Sequence, residues 1–151
     1  AAYCPDAGAT RAQMAVFIAR ALYGGDEFPY RAAPFFNDVP PSHILFKWVQ
    51  KLRETEVIGE CSPGNFCPDE LVTRGQIAAF LIRGVLGNGF SYSPAPAYVD
   101  VPPTSPEFAY VQKLRDWGIT SGCTQFQYCP GAPATRGEMA VFIVRAFFTP
   151  R

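Results

Sequence analysis

Apolar residues return at helical spacing in several stretches of the chain, and the polar residues around them return in the same order. Met14, Phe17 and Ile18 follow the i, i+3, i+4 rule, as do Ile77, Phe80 and Leu81, and then Met139, Phe142 and Ile143. Each trio marks one buried stripe of a helix. Each helix also carries its own start signal. Thr73 stands as N-cap with Gln76 as its reciprocal partner three positions on, and Thr10/Gln13 and Thr135/Glu138 repeat the arrangement. Gly24 and Gly87 fall where helix C-termini are expected. Two shorter stripes, Trp48, Val49 and Leu52 and then Val111 and Leu114, predict a second kind of helix. Each follows a Val-Pro-Pro segment, which favours extended backbone because proline disfavours the α region for the residue before it. Pro106, directly after Ser105, suits a first helical turn. Residues 24–33 and 87–97, rich in Gly, Pro and aromatics, read as loops.

The stripes belong to an internal repeat. Thr10-Arg11-Ala12-Gln13-Met14-Ala15 returns as Thr73-Arg74-Gly75-Gln76-Ile77-Ala78 after 63 residues, and as Thr135-Arg136-Gly137-Glu138-Met139-Ala140 after a further 62. Phe36-Asn37-Asp38-Val39-Pro40-Pro41 matches Tyr98-Val99-Asp100-Val101-Pro102-Pro103, again 62 apart. Val49-Gln50-Lys51-Leu52-Arg53 is repeated unchanged as Val111-Gln112-Lys113-Leu114-Arg115. Shared spacing across three separate blocks marks tandem units, and a helix–loop–helix unit of this size cannot bury both stripes alone, so the units must pack together. The fold class expected is mainly α, built from tandem helix–loop–helix repeats. Rear blocks occur three times and front blocks twice, so the first repeat is expected to be incomplete. The organisation expected is residues 1–33 as the rear half of repeat 1 plus a linker, 34–96 as repeat 2 and 97–151 as repeat 3, together one domain.

Charge narrows the function classes. The 13 Lys and Arg balance 13 Asp and Glu, so the chain lacks the basic footprint that a phosphate backbone or an anionic membrane surface demands. Nucleic acid is not an expected partner. Apolar runs such as 139–144 fall far short of the roughly 20 residues of a membrane span. Nucleophile elbow, His-Glu-x-x-His, P-loop and Gly-x-Gly-x-x-Gly motifs are all missing, and no catalytic residue is assigned. No cofactor is expected.

The cysteines address the compartment. Cys61 and Cys67 enclose five residues, as do Cys123 and Cys129. Zinc would favour shorter Cys spacing and more than the single His43, and catalytic dithiols favour Cys-x-x-Cys. Disulfides Cys61–Cys67 and Cys123–Cys129 are therefore expected, with no metal site, in a protein exported from the reducing cytosol. Cys4 aligns with Cys67 and Cys129, each followed by proline, and its counterpart would precede Ala1. It is left unpaired within this chain. Either the natural chain is longer at its N-terminus or Cys4 pairs with another chain.

Taken together, these motifs resemble the S-layer homology domain family, and in particular its cysteine-containing repeats. Phe36-Asn37-Asp38-Val39, Trp48 and Thr73-Arg74-Gly75-Gln76 stand in one unit; Tyr98-Val99-Asp100-Val101, Tyr110 and Thr135-Arg136-Gly137-Glu138 stand in the next. The resemblance covers nearly the whole chain. It implies a pseudo-threefold arrangement of units and a secreted bacterial cell-surface protein that anchors by binding envelope or cell-wall polysaccharide in grooves between repeats. Carried over by position, the glycan-binding candidates are Arg11, Arg74, Arg136, Asp38, Asp100, Trp48 and Tyr110. Arg binds carboxylates bidentately and an aromatic face packs on a sugar ring.

Each candidate also has a structural reading. Arg74 suits a salt bridge, for instance to Asp38; Asp38 and Asp100 suit backbone donors near Val-Pro-Pro; Trp48 and Tyr110 suit the core. Met14 and Met139 are expected in the core, and His43 at the surface or in a cap. The alternative function is a structural, self-assembling module that packs into a surface layer or filament, alone or as part of a larger parent protein.

Overall fold

The computed structural model describes residues 2–150. Five α-helices follow in order: α1 (Arg11–Tyr23), α2 (Phe46–Glu54), α3 (Arg74–Leu86), α4 (Phe108–Asp116) and α5 (Arg136–Ile143), the last continuing into a π-helical turn, Val144–Phe148. Among the described residues there are isolated β-bridges and no strands. The protein is mainly α, as its hydrophobic periodicity predicts.

Local chemistry accounts for the helix ends. The hydroxyls of Thr10, Thr73 and Thr135 accept the backbone N–H of Gln13, Gln76 and Glu138, whose side chains accept the cap N–H in return. Three capping boxes thus satisfy backbone donors that every helix start leaves over. Gly24 closes α1 in the left-handed region at φ 74°, where a side chain would be strained. Gly87 closes α3 at φ 71°. The shorter helices begin differently from the sequence expectation: Pro106 lies in the turn ahead of α4, and the helix proper starts at Phe108, whose N–H donates to the Ser105 carbonyl. His43 helps to open α2 by accepting the Leu45 N–H on Nδ1 at 3.1 Å.

The helices pair in chain order, α2 on α1 and α4 on α3, while α1 also touches α3 and α5. The three helices with capping boxes therefore form the centre, and α2 and α4 flank them. Met14, Ile18, Ile77, Leu81 and Met139 meet Val49, Leu52, Val111 and Leu114 in one fully buried core. Each such side chain contributes about 1.5–3 kcal/mol relative to exposure.

A closed ring of hydrogen bonds joins the three units. Ala9 N–H donates to the Ala134 carbonyl at 3.0 Å, Ala134 N–H to Val72 at 3.0 Å, and Val72 N–H to Ala9 at 2.9 Å. Outside the ring, the first two amides of each capped helix donate to the next unit: Arg11 and Ala12 to the carbonyls of Glu70 and Pro68, Arg74 and Gly75 to those of Ala132 and Pro130, Arg136 and Gly137 to those of Ala7 and Pro5. Three equivalent seats, each used once around the ring, give the molecule its pseudo-threefold symmetry.

Each seat is a Cys-Pro segment, and two of the three are held from behind by a carboxylate. Asp38 accepts the N–H groups of Phe66 and Cys67 at 2.8 and 2.7 Å, one on each carboxylate oxygen. Asp100 does the same for Tyr128 and Cys129, at 2.8 and 2.7 Å. Charge-assisted bonds of this kind are among the stronger ones. The cysteines of the seats adopt positive φ, 56° at Cys67, 60° at Cys129 and 53° at Cys4. Disulfides Cys61–Cys67 and Cys123–Cys129 span the same Cα separation, 6.0 Å, while Cys4 is an exposed free thiol. Buried Gln50 and Gln112 fasten the connecting loops. Gln50 accepts the Phe35 N–H and donates to the Arg31 and Ala33 carbonyls; Gln112 accepts from Ala97 and donates to Ser93 and Ala95.

Candidate functional site

The capped helices deliver their arginines to the seams. Arg11 opens α1 and reaches across to the next unit, where Nε donates to the Phe66 carbonyl at 2.7 Å and Nη2 to the Gly59 carbonyl at 3.0 Å. Its guanidinium lies 4.8 Å from the Phe66 ring centre and 5.5 Å from that of Phe80. Burial to 2% exposure pushes its pKa below the ordinary arginine value, and the nearby carboxylates of Glu70 and Asp38 act in the opposite sense. Arg74 repeats the arrangement one unit later. Nε donates to Tyr128 at 2.8 Å, the rings of Tyr128 and Phe142 lie at 4.9 and 5.4 Å, and exposure is 4%. Arg136 is half-buried, donating from Nε to the Tyr3 carbonyl at 2.9 Å with its guanidinium 5.0 Å from the Tyr3 ring centre.

Two of these seams open into grooves. The first, of 190 Å³, joins Arg11 and the Gly59–Glu60 turn to the α3 face (Gln76, Phe80, Arg83) and to Glu107 and Tyr110 at the start of α4. The second, of 230 Å³, joins Arg74 and the turn at Thr120 and Ser121 to Glu138, Phe142 and Arg145. Both are smaller than the roughly 300–1,000 Å³ of pockets that enclose a small molecule. A shallow cleft of this size suits one unit of an extended ligand.

The seven sequence candidates separate in space. Arg11 and Tyr110 line the first groove and Arg74 the second. Asp38 and Asp100 sit behind the seats, their carboxylates engaged by backbone N–H groups. The ion pair suggested for Arg74 forms with Glu138, at 2.7 Å, because Arg74 reaches the seat at Tyr128, whereas Asp38 lies behind the seat at Phe66 and Cys67 that Arg11 reaches. Trp48 and Arg136 line neither groove. Trp48 is half-buried where α2 meets α1, and donates from Nε1 to Asp26 at 3.1 Å. The Arg20 guanidinium grips both oxygens of that carboxylate and pulls its pKa down to about 2. Tyr110, the positional counterpart of Trp48, instead accepts a hydrogen bond from Arg83 Nε at 3.0 Å, with the guanidinium 4.8 Å from its ring centre.

Arg83 and Arg145 are groove residues that motif reading passed over. The signal for them is in the sequence: Arg20, Arg83 and Arg145 each stand nine positions after the helix-start arginines Arg11, Arg74 and Arg136. Nine positions is two and a half helical turns, which carries Arg83 to the side of α3 opposite Arg74 and into the first groove; Arg145 lines the second, whereas Arg20 pairs with Asp26. Glu60 and Glu107 carry no repeat signature, because their positions change chemistry between units: Glu60 aligns with Gly122, and Glu107 with Leu45.

Among the described residues, no three His, Cys, Asp or Glu side chains gather as metal ligands. No described helix is long and apolar enough to cross a membrane.

Comparison with known proteins identifies this architecture. The family model described as S-layer homology domain matches residues 35–78 and 97–140, more than half of the chain. An endoglucanase from Bacillus sp. (strain KSM-635) is 33% identical over 136 residues, which cover 89% of this chain and 14% of that enzyme. The chain thus spans about one seventh of the relative's length. S-layer homology domains attach proteins to cell-wall polymers at bacterial surfaces and are anchoring modules, not catalysts. With its two matched repeats joined to a third capped helix in one hydrogen-bonded ring, the chain belongs to the S-layer homology domain family.

Proposed function

We propose that the chain anchors an exported protein to the bacterial envelope by binding an acidic stretch of wall polysaccharide in the groove formed by Arg11, Gln76, Arg83, Glu107 and Tyr110. One observation carries this reading: a buried guanidinium lines an open groove while only its Nε and Nη2 are engaged by protein carbonyls. Guanidinium has five N–H donors, so donors remain for a ligand carboxylate. The Tyr110 ring and the Arg83 fork supply a flat surface and further donors beside it. Glu60 and Glu107 offer acceptors for sugar hydroxyls. The match to a fraction of a long endoglucanase supports a module carried on a larger protein. Catalysis would then belong to other parts of that protein.

The test is co-sedimentation with purified cell-wall sacculi. Wild type is expected to sediment, and Arg83→Ala/Tyr110→Ala to lose at least tenfold in affinity at a temperature where circular dichroism shows both proteins fully folded. Equal sedimentation of both proteins would refute the groove reading.

A second reading, self-assembly, is favoured by one specific observation. Val141, Val144 and Phe148 form an exposed apolar face on α5 and the turn that follows it. Light scattering across a wide concentration range tests it, and a strict monomer throughout would argue against it.

A further inference from the structure

Four contacts made around α1 and around α3 have no counterpart around α5 among the described residues. The first is the cover of the flank. Helix α2 lies on α1 and α4 on α3, whereas Val141, Val144 and Phe148 stand exposed beside a shallow groove of 400 Å³ on α5. The second is an aromatic pair in the seat. Phe66 packs against Phe36 with ring centres 5.4 Å apart, and Tyr128 against Tyr98 at 5.7 Å; their counterpart Tyr3 is 47% exposed. The third is the carboxylate behind the seat. Asp38 and Asp100 each accept two backbone N–H groups, and no carboxylate accepts those of Tyr3 and Cys4. The fourth is the disulfide. Cys67 and Cys129 are bridged, and Cys4 is an exposed free thiol.

In each of the other two units a single stretch of chain supplies all four contacts. Residues 36–61 serve α1 and its seat, and residues 98–123 serve α3 and its seat. Both stretches place an aromatic ring two positions before the aspartate and a cysteine 23 positions after it. The four vacancies surround one helix and the seat beneath it, so one segment of this kind would fill them together. Burial of the α5 flank would drive its docking, and charge-assisted bonds to the Tyr3 and Cys4 amides would fix its register. A second copy of the chain has no such segment to spare, because its own α2 and α4 are seated on α1 and α3.

We propose that the α5 flank and the Tyr3-Cys4 seat form a docking site for a polypeptide segment with the chemistry of residues 36–61: an aromatic residue two positions before an aspartate, a short amphipathic helix, and a cysteine that bridges to Cys4. The bridge forms by exchange. The Cys4 thiolate attacks the segment's cysteine where that sulfur is held in a disulfide; one S–S bond forms as the other breaks, and the displaced thiol leaves. The site lies apart from the grooves at Arg11 and Arg74 and does not depend on what they bind.

The probe is a synthetic peptide of residues 34–62 whose Cys61 carries thionitrobenzoate, a group that absorbs visible light once released as thiolate. Docking makes the exchange intramolecular, at about millimolar effective concentration, so at about 10 μM peptide release by the full chain is expected about 100-fold faster than from a scrambled peptide with its cysteine kept in place. Val141→Lys/Val144→Lys in the chain and Asp38→Ala in the peptide are each expected to slow release at least tenfold; both chain positions are exposed, so the fold does not depend on them. With Cys4→Ser in the chain and Cys61→Ser in the peptide, release is impossible, and saturable amide shifts are expected at Val141 and Val144. Release from the scrambled peptide within twofold of the authentic one would overturn the inference, as would amide shifts that avoid α5. Concentration-dependent dimerisation of the full chain that the peptide fails to compete away would assign the face to a second copy and overturn it as well.

Discussion

Helices α3 and α5 start alike and end differently. Both open on Thr-Arg-Gly with a complete capping box, and both seat their first amides on a Cys-Pro segment of another unit. Helix α3 then runs 13 residues to Leu86, whereas α5 stays α-helical for 8 and finishes in a π turn of 5. Their flanks differ in cover. The positions equivalent to Val16, 8% exposed on α1, are Ala79 at 9% on α3 and Val141 at 45% on α5. Those equivalent to Ala19, at 0%, are Ile82 at 0% and Val144 at 55%. A short helix covers this face on α1 and on α3, whereas α5 has no such helix packed on it among the described residues. The start of a helix in this fold is thus settled by its own sequence, and its flank by the helix packed against it.

The sharpest break in that comparison is a pair of truncations. Ile82→Ala should cost about 2–5 kcal/mol, since it opens a cavity beneath α4. Val144→Ala, at the equivalent place on α5, should change stability by less than about 0.5 kcal/mol. Urea denaturation of the two variants measures the contrast; similar losses would mean that the α5 face is covered in solution.

The seats provide the next contrast. The Cys-Pro segment beneath α3 is fastened by Cys123–Cys129, whereas the one beneath α5 contains the free thiol of Cys4. Replacing Cys123 and Cys129 by serine should cost roughly 2–3 kcal/mol on the chain-entropy estimate for so small a loop. In the unaltered protein, hydrogen exchange should already report the difference, with the Arg74 and Gly75 amides protected better than those of Arg136 and Gly137. Equal protection would show that the bridge does not hold the seat. A smaller effect is expected at the shared feature: Thr73→Ala, which removes one cap, should cost about 1 kcal/mol, and Thr135→Ala about the same.

What could be read from the sequence was whatever neighbouring residues decide. The capping boxes, the glycine ends, the buried Met14 and Met139 and both disulfides follow from spacings of a few residues. The ring of units was implied by the repeat but not its connections, because Ala9, Val72 and Ala134 meet only after the chain has turned through whole units. Asp38 shows the limit most clearly. Its conspicuous place before Val-Pro-Pro suggested a ligand or a local turn, yet its partners are amides 28 and 29 residues away. Gln50 and Gln112 are visible within an unchanged Val-Gln-Lys-Leu-Arg block, but a polar residue next to a lysine gives no sign of burial until the loop it fastens is known. The grooves were legible in part. Arg11, Arg74 and Tyr110 stood out by repetition, whereas the pairing of Arg74 with Glu138, and its loss at Gln76, depends on which helix lies across the seam.

The central claim is that the seam holding Arg11, Arg83 and Tyr110 is where wall polysaccharide binds. Amide-shift mapping with soluble fragments of purified wall polysaccharide tests it most directly. Saturable shifts clustered at Gly59, Glu60, Gln76, Ala79 and Tyr110 are expected. Shifts confined to Val141, Val144 and Phe148, or spread evenly over the surface, would contradict it.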